Sequence, residues 1–137
     1  MKSLTIRLGQ FAISALVLTV LFRYVLNLCI GANSLMGTIS CSIVYACLMF
    51  LLGWYFGKKD AVENDIHDIG FRFHLVTYIL SLGVGYGAYF MGWYTESLAV
   101  MAITAISWGV GLAVHCVFFL IEWKKTIKGY AKNEIFP

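Results

Sequence analysis

The chain has 137 residues, 61% of them apolar or aromatic and 12% charged, with a net charge of +3. A water-soluble domain carries roughly a quarter charged residues and about half apolar ones, so this composition excludes an ordinary globular enzyme and points to an integral membrane protein. The excess of cations lies in short flanking segments, where it reads as a topology signal and a contact with anionic headgroups; no nucleic-acid partner is expected.

A helix that crosses the hydrocarbon needs ~20 mostly apolar residues, and four segments reach that length: 9–30, 35–57, 71–91 and 98–121. They divide the chain into an N-terminal transmembrane hairpin (1–57), a connecting segment (58–70), a C-terminal hairpin (71–121) and a basic tail (122–137). Helix is the expected state, because a few open strands would leave backbone groups unpaired in lipid and the alternation of a membrane barrel is absent. The basic N-terminal flank resembles that of a signal peptide, but the long apolar run without an obvious small-residue cleavage site before Arg23 reads as a retained span. Nine of the ten cations, Lys2, Arg7, Lys58, Lys59, Arg72, Lys124, Lys125, Lys128 and Lys132, fall on one side of these spans. Both termini and the middle segment are therefore expected in the cytoplasm. The expected fold is an all-α integral membrane protein, four transmembrane helices in a compact up-down bundle.

The first span holds the tenth cation, Arg23, about two turns from its outer end. Thr19, Arg23 and Asn27 recur at i, i+4 and i+8 and so share a helix face. A charge at that depth costs a few kcal/mol unless it is partnered, and with no carboxylate inside any span the acid within reach is Glu96 of the second external loop. The stripe is either a structural, snorkelling or interhelical arginine, or the lining of an anion-attracting pore in an oligomer.

The second span carries Cys41 and Cys47, the first Cys29 and the fourth Cys116; none forms a CxxC pair, and all are expected to be structural thiols. Its segment from Cys47 to Trp54 echoes the one from Cys116 to Trp123, which makes a duplicated hairpin possible. The connecting segment should be a solvated loop in which Asp68 caps the third helix, although Asp65, His67 and Asp68 form a conceivable metal set. The tail, four lysines beside Trp123 and Tyr130, suits an interfacial anchor or a contact with a cytoplasmic protein.

The third and fourth spans are the most specific. His74, Tyr78, Ser81 and Gly85 share one face of the third; Trp108, Gly111 and His115 share one of the fourth. Gly83, Gly85, Gly87, Gly109 and Gly111 permit close helix approach. His74 near the start of one antiparallel helix and His115 near the end of the other should lie at similar depth. Such a pair can lock the hairpin through hydrogen bonds to Tyr78, Ser81 or backbone, ligate haem iron or a transition metal, or titrate as a pH sensor.

The stretch Trp108-Gly109-Val110-Gly111-Leu112-Ala113-Val114-His115, with Glu122-Trp123-Lys124-Lys125 after it and Phe71-Arg72-Phe73-His74-Leu75-Val76-Thr77-Tyr78 before it, resembles the bacterial two-transmembrane domain family. The resemblance covers residues 68–128 and departs from the family at Leu82, where an asparagine is expected. It implies a membrane hairpin of a bacterial inner membrane, often placed beside signalling domains. Other four-span classes fit less well: the first span lacks the acid of small multidrug transporters and the glycine-rich stretch of fluoride channels.

No intramembrane carboxylate, oriented serine–histidine pair or phosphate loop supports an enzyme. The expected function is therefore that of a non-enzymatic, homo-oligomeric interaction, sensory or regulatory module. Its candidate packing or ligand residues are His74, Tyr78, Trp108, Gly109, Gly111 and His115. The alternatives are an oligomeric ion-conducting pore or membrane effector along Thr19, Arg23 and Asn27, and a haem or metal binder through His74 and His115. The lipid bilayer and a cytoplasmic protein at the middle loop and basic tail are the expected partners.

Overall fold

A computed structural model of the chain describes residues 4–64, 70–93 and 97–133, with the side chains of 122, 123 and 125–133 outside that description. The described secondary structure consists of α1 (Ile6–Gly31), α2 (Leu35–Asn64), α3 (Phe71–Phe90) and α4 (Leu98–Asn133). Each contains a stretch long and apolar enough to cross a membrane.

Local chemistry sets the helix ends. The Thr5 hydroxyl accepts the Leu8 N–H at 3.1 Å and caps α1. At the other end, Asn33 adopts a left-handed conformation (φ 52°), and the N–H groups of Asn33 and Ser34 return to the carbonyls of Ile30 and Cys29. This Schellman turn satisfies carbonyls that α1 leaves open. The Ser34 hydroxyl then accepts the Gly37 N–H at 3.2 Å, so α2 starts at once. The α3–α4 connection repeats the device: Gly92 takes the left-handed position (φ 71°), and the N–H groups of Gly92 and Trp93 bond the carbonyls of Tyr89 and Ala88. A Cβ at Gly92 would strain that turn.

The connecting segment differs from expectation. Its first seven residues, 58–64, continue α2 as helix, because the lysines, Ala61 and Glu63 are good helix formers and the helical turn gives Asp60 and Glu63 cationic partners on neighbouring helices. The residue before α3 is Gly70, left-handed at φ 75° and without a side-chain cap bond. Asp65, His67 and Asp68, and with them the expected cap and metal set, lie outside the described residues. The basic tail is likewise helical as far as Asn133, so α4 is a single helix of 36 residues, about 54 Å long.

Contacts give the arrangement. Phe11 meets Phe56, and Phe22 stacks on Tyr45, so α1 and α2 are antiparallel. Phe71 pairs with Phe119 and Tyr78 with Trp108, so α3 and α4 are antiparallel too. Phe11 also meets Phe73 at 4.9 Å, while Arg23 lies against Gly85, so α1 and α3 run parallel. The core is built from Leu8, Phe11, Ala15 and Phe73, with Met49, Leu52, Phe56, Val76 and Leu80 around it. The four helices therefore alternate up and down, as the sequence leads one to expect. Among the described residues, backbone contact links α2 to α1, α1 to α3 and α3 to α4, with a slight touch between α2 and α3 and none between α4 and the first two helices. The core cluster takes no side chain from α4; the buried residue of α4 among those described is Met101, 4% exposed, whose methyl group lies beside Gly85.

Candidate functional site

The histidine pair sits on the α3–α4 seam. Helical spacing brings Phe71, His74 and Tyr78 onto one side of α3, opposite Phe119, His115 and Trp108 on α4. The His74 and His115 rings have centroids 4.6 Å apart at 59°; Phe71 and Phe119 stack below them at 5.2 Å, and Tyr78 meets Trp108 edge-on at 6.1 Å. The Tyr78 hydroxyl donates to the Ala105 carbonyl at 3.1 Å, and Ser81 bonds Tyr45. The Tyr78 and Ser81 hydroxyls are thus bonded to Ala105 and Tyr45, while the two histidine rings lie against each other.

The separation decides between metal geometries. With metal–nitrogen bonds of about 2 Å, two imidazoles on opposite faces of a haem have ring centres about 6 Å apart. At 4.6 Å the ring centres stand closer than the two axial imidazoles of a haem and about as far apart as imidazoles in adjacent positions on one ion. Among the described residues, no group of three or more His, Cys, Asp or Glu side chains gathers in a metal-binding arrangement. Water or an external ligand would complete any coordination sphere here.

Two of the five glycines make close approaches, and both receive side chains. A Cβ on Gly109 would stand 3.1 Å from the Tyr78 hydroxyl, and one on Gly85 would stand 2.7 Å from an Arg23 guanidinium nitrogen; at Gly83, Gly87 and Gly111 it would meet nothing within 4 Å. Gly111 therefore makes no packing contact of the kind expected. Gly109→Leu should destabilise the α3–α4 hairpin by about 1–3 kcal/mol, because Tyr78 must leave its carbonyl partner, while Gly111→Leu should change stability by less than about 0.5 kcal/mol. Thermal unfolding in detergent compares the two directly.

The Thr19, Arg23 and Asn27 stripe faces the interior of its own chain. Thr19, 1% exposed, donates to the Ala15 carbonyl at 2.7 Å and shares a 3.0 Å hydrogen bond with the Tyr45 hydroxyl. Tyr45 in turn lies 3.2 Å from Ser81. One tyrosine thus joins α1, α2 and α3 through three hydroxyls. Sequence reasoning missed it, because a tyrosine in an apolar run carries no signal of which hydroxyls it will meet. Arg23 and Asn27 are half-buried and partnered; Glu96 lies outside the described residues.

A second constellation missed by sequence reasoning lies where α2 runs past its apolar stretch, beside the N-terminal ends of α1 and α3. Asp60, 1% exposed, pairs with Arg72 at 2.6 Å and accepts from the Asn64 amide at 3.0 Å. Arg7 pairs with Glu63 nearby through two hydrogen bonds of 2.8 and 2.6 Å. These bonds tie α2 to α3 and to α1. Spacing offers a faint clue, since Asp60 and Asn64 are one turn apart, but their cationic partners come from other helices. The four cysteines, Cys29, Cys41, Cys47 and Cys116, are free thiols within the helices.

Beside the histidines, a cleft of about 550 Å³ opens along α2. It exists because α2 barely touches α3 and does not reach α4. Compared with family models, curated proteins and solved structures, the chain gives no match.

Proposed function

We propose that the protein is a non-enzymatic, multi-pass module of a bacterial inner membrane, with both termini cytoplasmic, that works by binding proteins, copies of itself included. The observation that carries this reading is the form of α4. It is one unbroken helix whose backbone, among the described residues, approaches α3 and no other helix, and it continues twelve residues past Ile121, the end of its apolar span, or about 18 Å. A helix held by one neighbour is free to take another. An unbroken helix also carries a shift inside the bilayer to the basic segment beyond it, where a cytoplasmic partner is expected. Ile103, Ile106, Val110, Val114 and Val117 are exposed on α4 and, at helical spacing, follow one face away from the seam. The resemblance of residues 68–128 to the two-transmembrane domain family belongs to this proposal and agrees with a signalling context.

Single cysteines at positions 106 and 110 in a cysteine-free background should crosslink between chains in cells, and native mass spectrometry from nanodiscs should release an oligomer. Monomers alone in both measurements would overturn the reading.

A second reading is favoured by the 4.6 Å histidine spacing: the pair binds one transition-metal ion through adjacent coordination positions, as imidazole suits zinc, copper and nickel. Purified protein should then bind Zn²⁺ with one-to-one stoichiometry, and His74→Ala should abolish it. Binding unaffected by that substitution rules the pair out.

A further inference from the structure

We propose that the cleft along α2 binds one anionic diacyl phospholipid of the cytoplasmic leaflet, its phosphate at Lys58 and one acyl chain lying between Trp54 and Tyr45. The inference rests on the membrane reading above and is independent of any protein partner.

Shape is the first argument. The cleft volume of about 550 Å³ falls within the range of small-molecule sites. Its lining runs along α2 from Lys58 to Tyr45, a rise of about 20 Å. That is somewhat more than half of a hydrocarbon core of ~30 Å, the depth one acyl chain reaches from its headgroup. Phe50, Trp54, Phe73 and Trp108 supply apolar walls, and Gly53 and Gly57 keep the α2 side open, since a Cβ at either would meet nothing within 4 Å.

Charge is the second. Three cations near the cleft mouth are engaged: Arg7 with Glu63, Arg72 with Asp60, and Lys59 with the Tyr55 hydroxyl at 2.7 Å and its ring at 4.5 Å. Lys58, exposed and lining the cleft, has no acidic partner among the described residues. A phosphate at that level complements it.

The third argument is the apolar surface on the other side of the Trp54 indole. Leu51, Trp54, Tyr55 and Val62 are exposed along α2 and border Lys58 there. One headgroup at Lys58 can thus serve two chains, one in the cleft and one along this open face.

The full chain is reconstituted in nanodiscs of phosphatidylcholine with a minor fraction of phosphatidylglycerol, and the retained lipid is identified by native mass spectrometry. Wild type should retain phosphatidylglycerol with about fivefold enrichment over its bulk share, the selectivity one lysine supplies near an anionic lipid. Lys58→Gln should return it to the bulk ratio, whereas Lys124→Gln, also exposed on that side, should leave it enriched. Gly53→Leu, which fills the cleft, should lose the retained lipid while keeping its helical circular dichroism. Bulk-ratio lipid on wild type, equal loss in both lysine variants, undiminished retention in Gly53→Leu, or release of lipid-free dimers would each overturn the proposal. Chain missing from the membrane fraction would instead refute the membrane reading itself.

Discussion

Asp60→Ala should destabilise the helical assembly by about 3–5 kcal/mol, the loss that follows when one partner of a buried ion pair is removed. The carboxylate is 1% exposed and the Arg72 side chain 16%, so the carboxylate has no water to turn to and the guanidinium has little. Asp60 takes the Arg72 guanidinium on one oxygen and the Asn64 amide on the other. Alanine takes this carboxylate from a guanidinium that little solvent reaches. The loss should fall toward the lower end of the range, because the arginine keeps some exposure and can bend toward water. Arg72→Ala should cost more, since it strands the more deeply buried carboxylate. Replacing both by leucine should recover most of the loss, as it does when buried pairs give way to apolar packing. Glu63→Ala, with its side chain 45% exposed, serves as the comparison and should have little effect, because solvent screens that pair. Reversible unfolding in detergent and dodecyl sulfate mixtures, followed by circular dichroism, measures the series. A loss below about 1 kcal/mol for Asp60→Ala would show that α2 and α3 are held together in some other way.

Phe11→Ala should cost about 3 kcal/mol, the lower end for a buried phenylalanine. Phe11 is 1% exposed and meets Phe73 at 4.9 Å and Phe56 at 6.2 Å, both edge-on at 69°. It thus joins the three helices that form the core. The lower end follows from the proposed membrane setting: lipid is as apolar as the protein interior, so the loss is one of packing contacts and leaves little transfer free energy to count. Phe50→Ala provides the contrast: Phe50 is 71% exposed, and its removal should stay within about 0.5 kcal/mol. If the two variants unfold at the same point, the core described by the structure does not hold the helices together.

Much of the site could be read from spacing within one helix. The four-residue rhythm put Thr19, Arg23 and Asn27 on one face, and counting inward from the two ends of an antiparallel hairpin put His74 level with His115; the rings meet at 4.6 Å. The same counting could not find the links between helices. Ser81 was grouped with the histidines and instead bonds Tyr45 of α2. Gly85, read as a place for close helix approach, is the seat of the Arg23 guanidinium. Asp60, read as part of a solvated loop, is buried against Arg72 twelve residues later. In each case the deciding partner lies on another helix, and no periodicity in one segment records it.

Hydropathy alone is enough to count the helices long and apolar enough to cross a membrane and to locate their apolar stretches, because that depends on summed transfer free energy along consecutive residues. It could not place the helix ends, which run on to Asn64 and Asn133: hydropathy marks the edge of the oil, and a backbone helix has no need to stop there. Nor could it say which face of each helix meets protein, since lipid-facing and helix-facing sides are equally apolar and the pattern of a half-wet helix is missing. It took the packed helices to show that α1 lies between α2 and α3, that the described backbone of α4 approaches only α3, and that a cleft with a lysine at its mouth opens along α2. Side-chain volume and hydrogen bonds between distant residues make those choices, and both become visible only once the helices are packed.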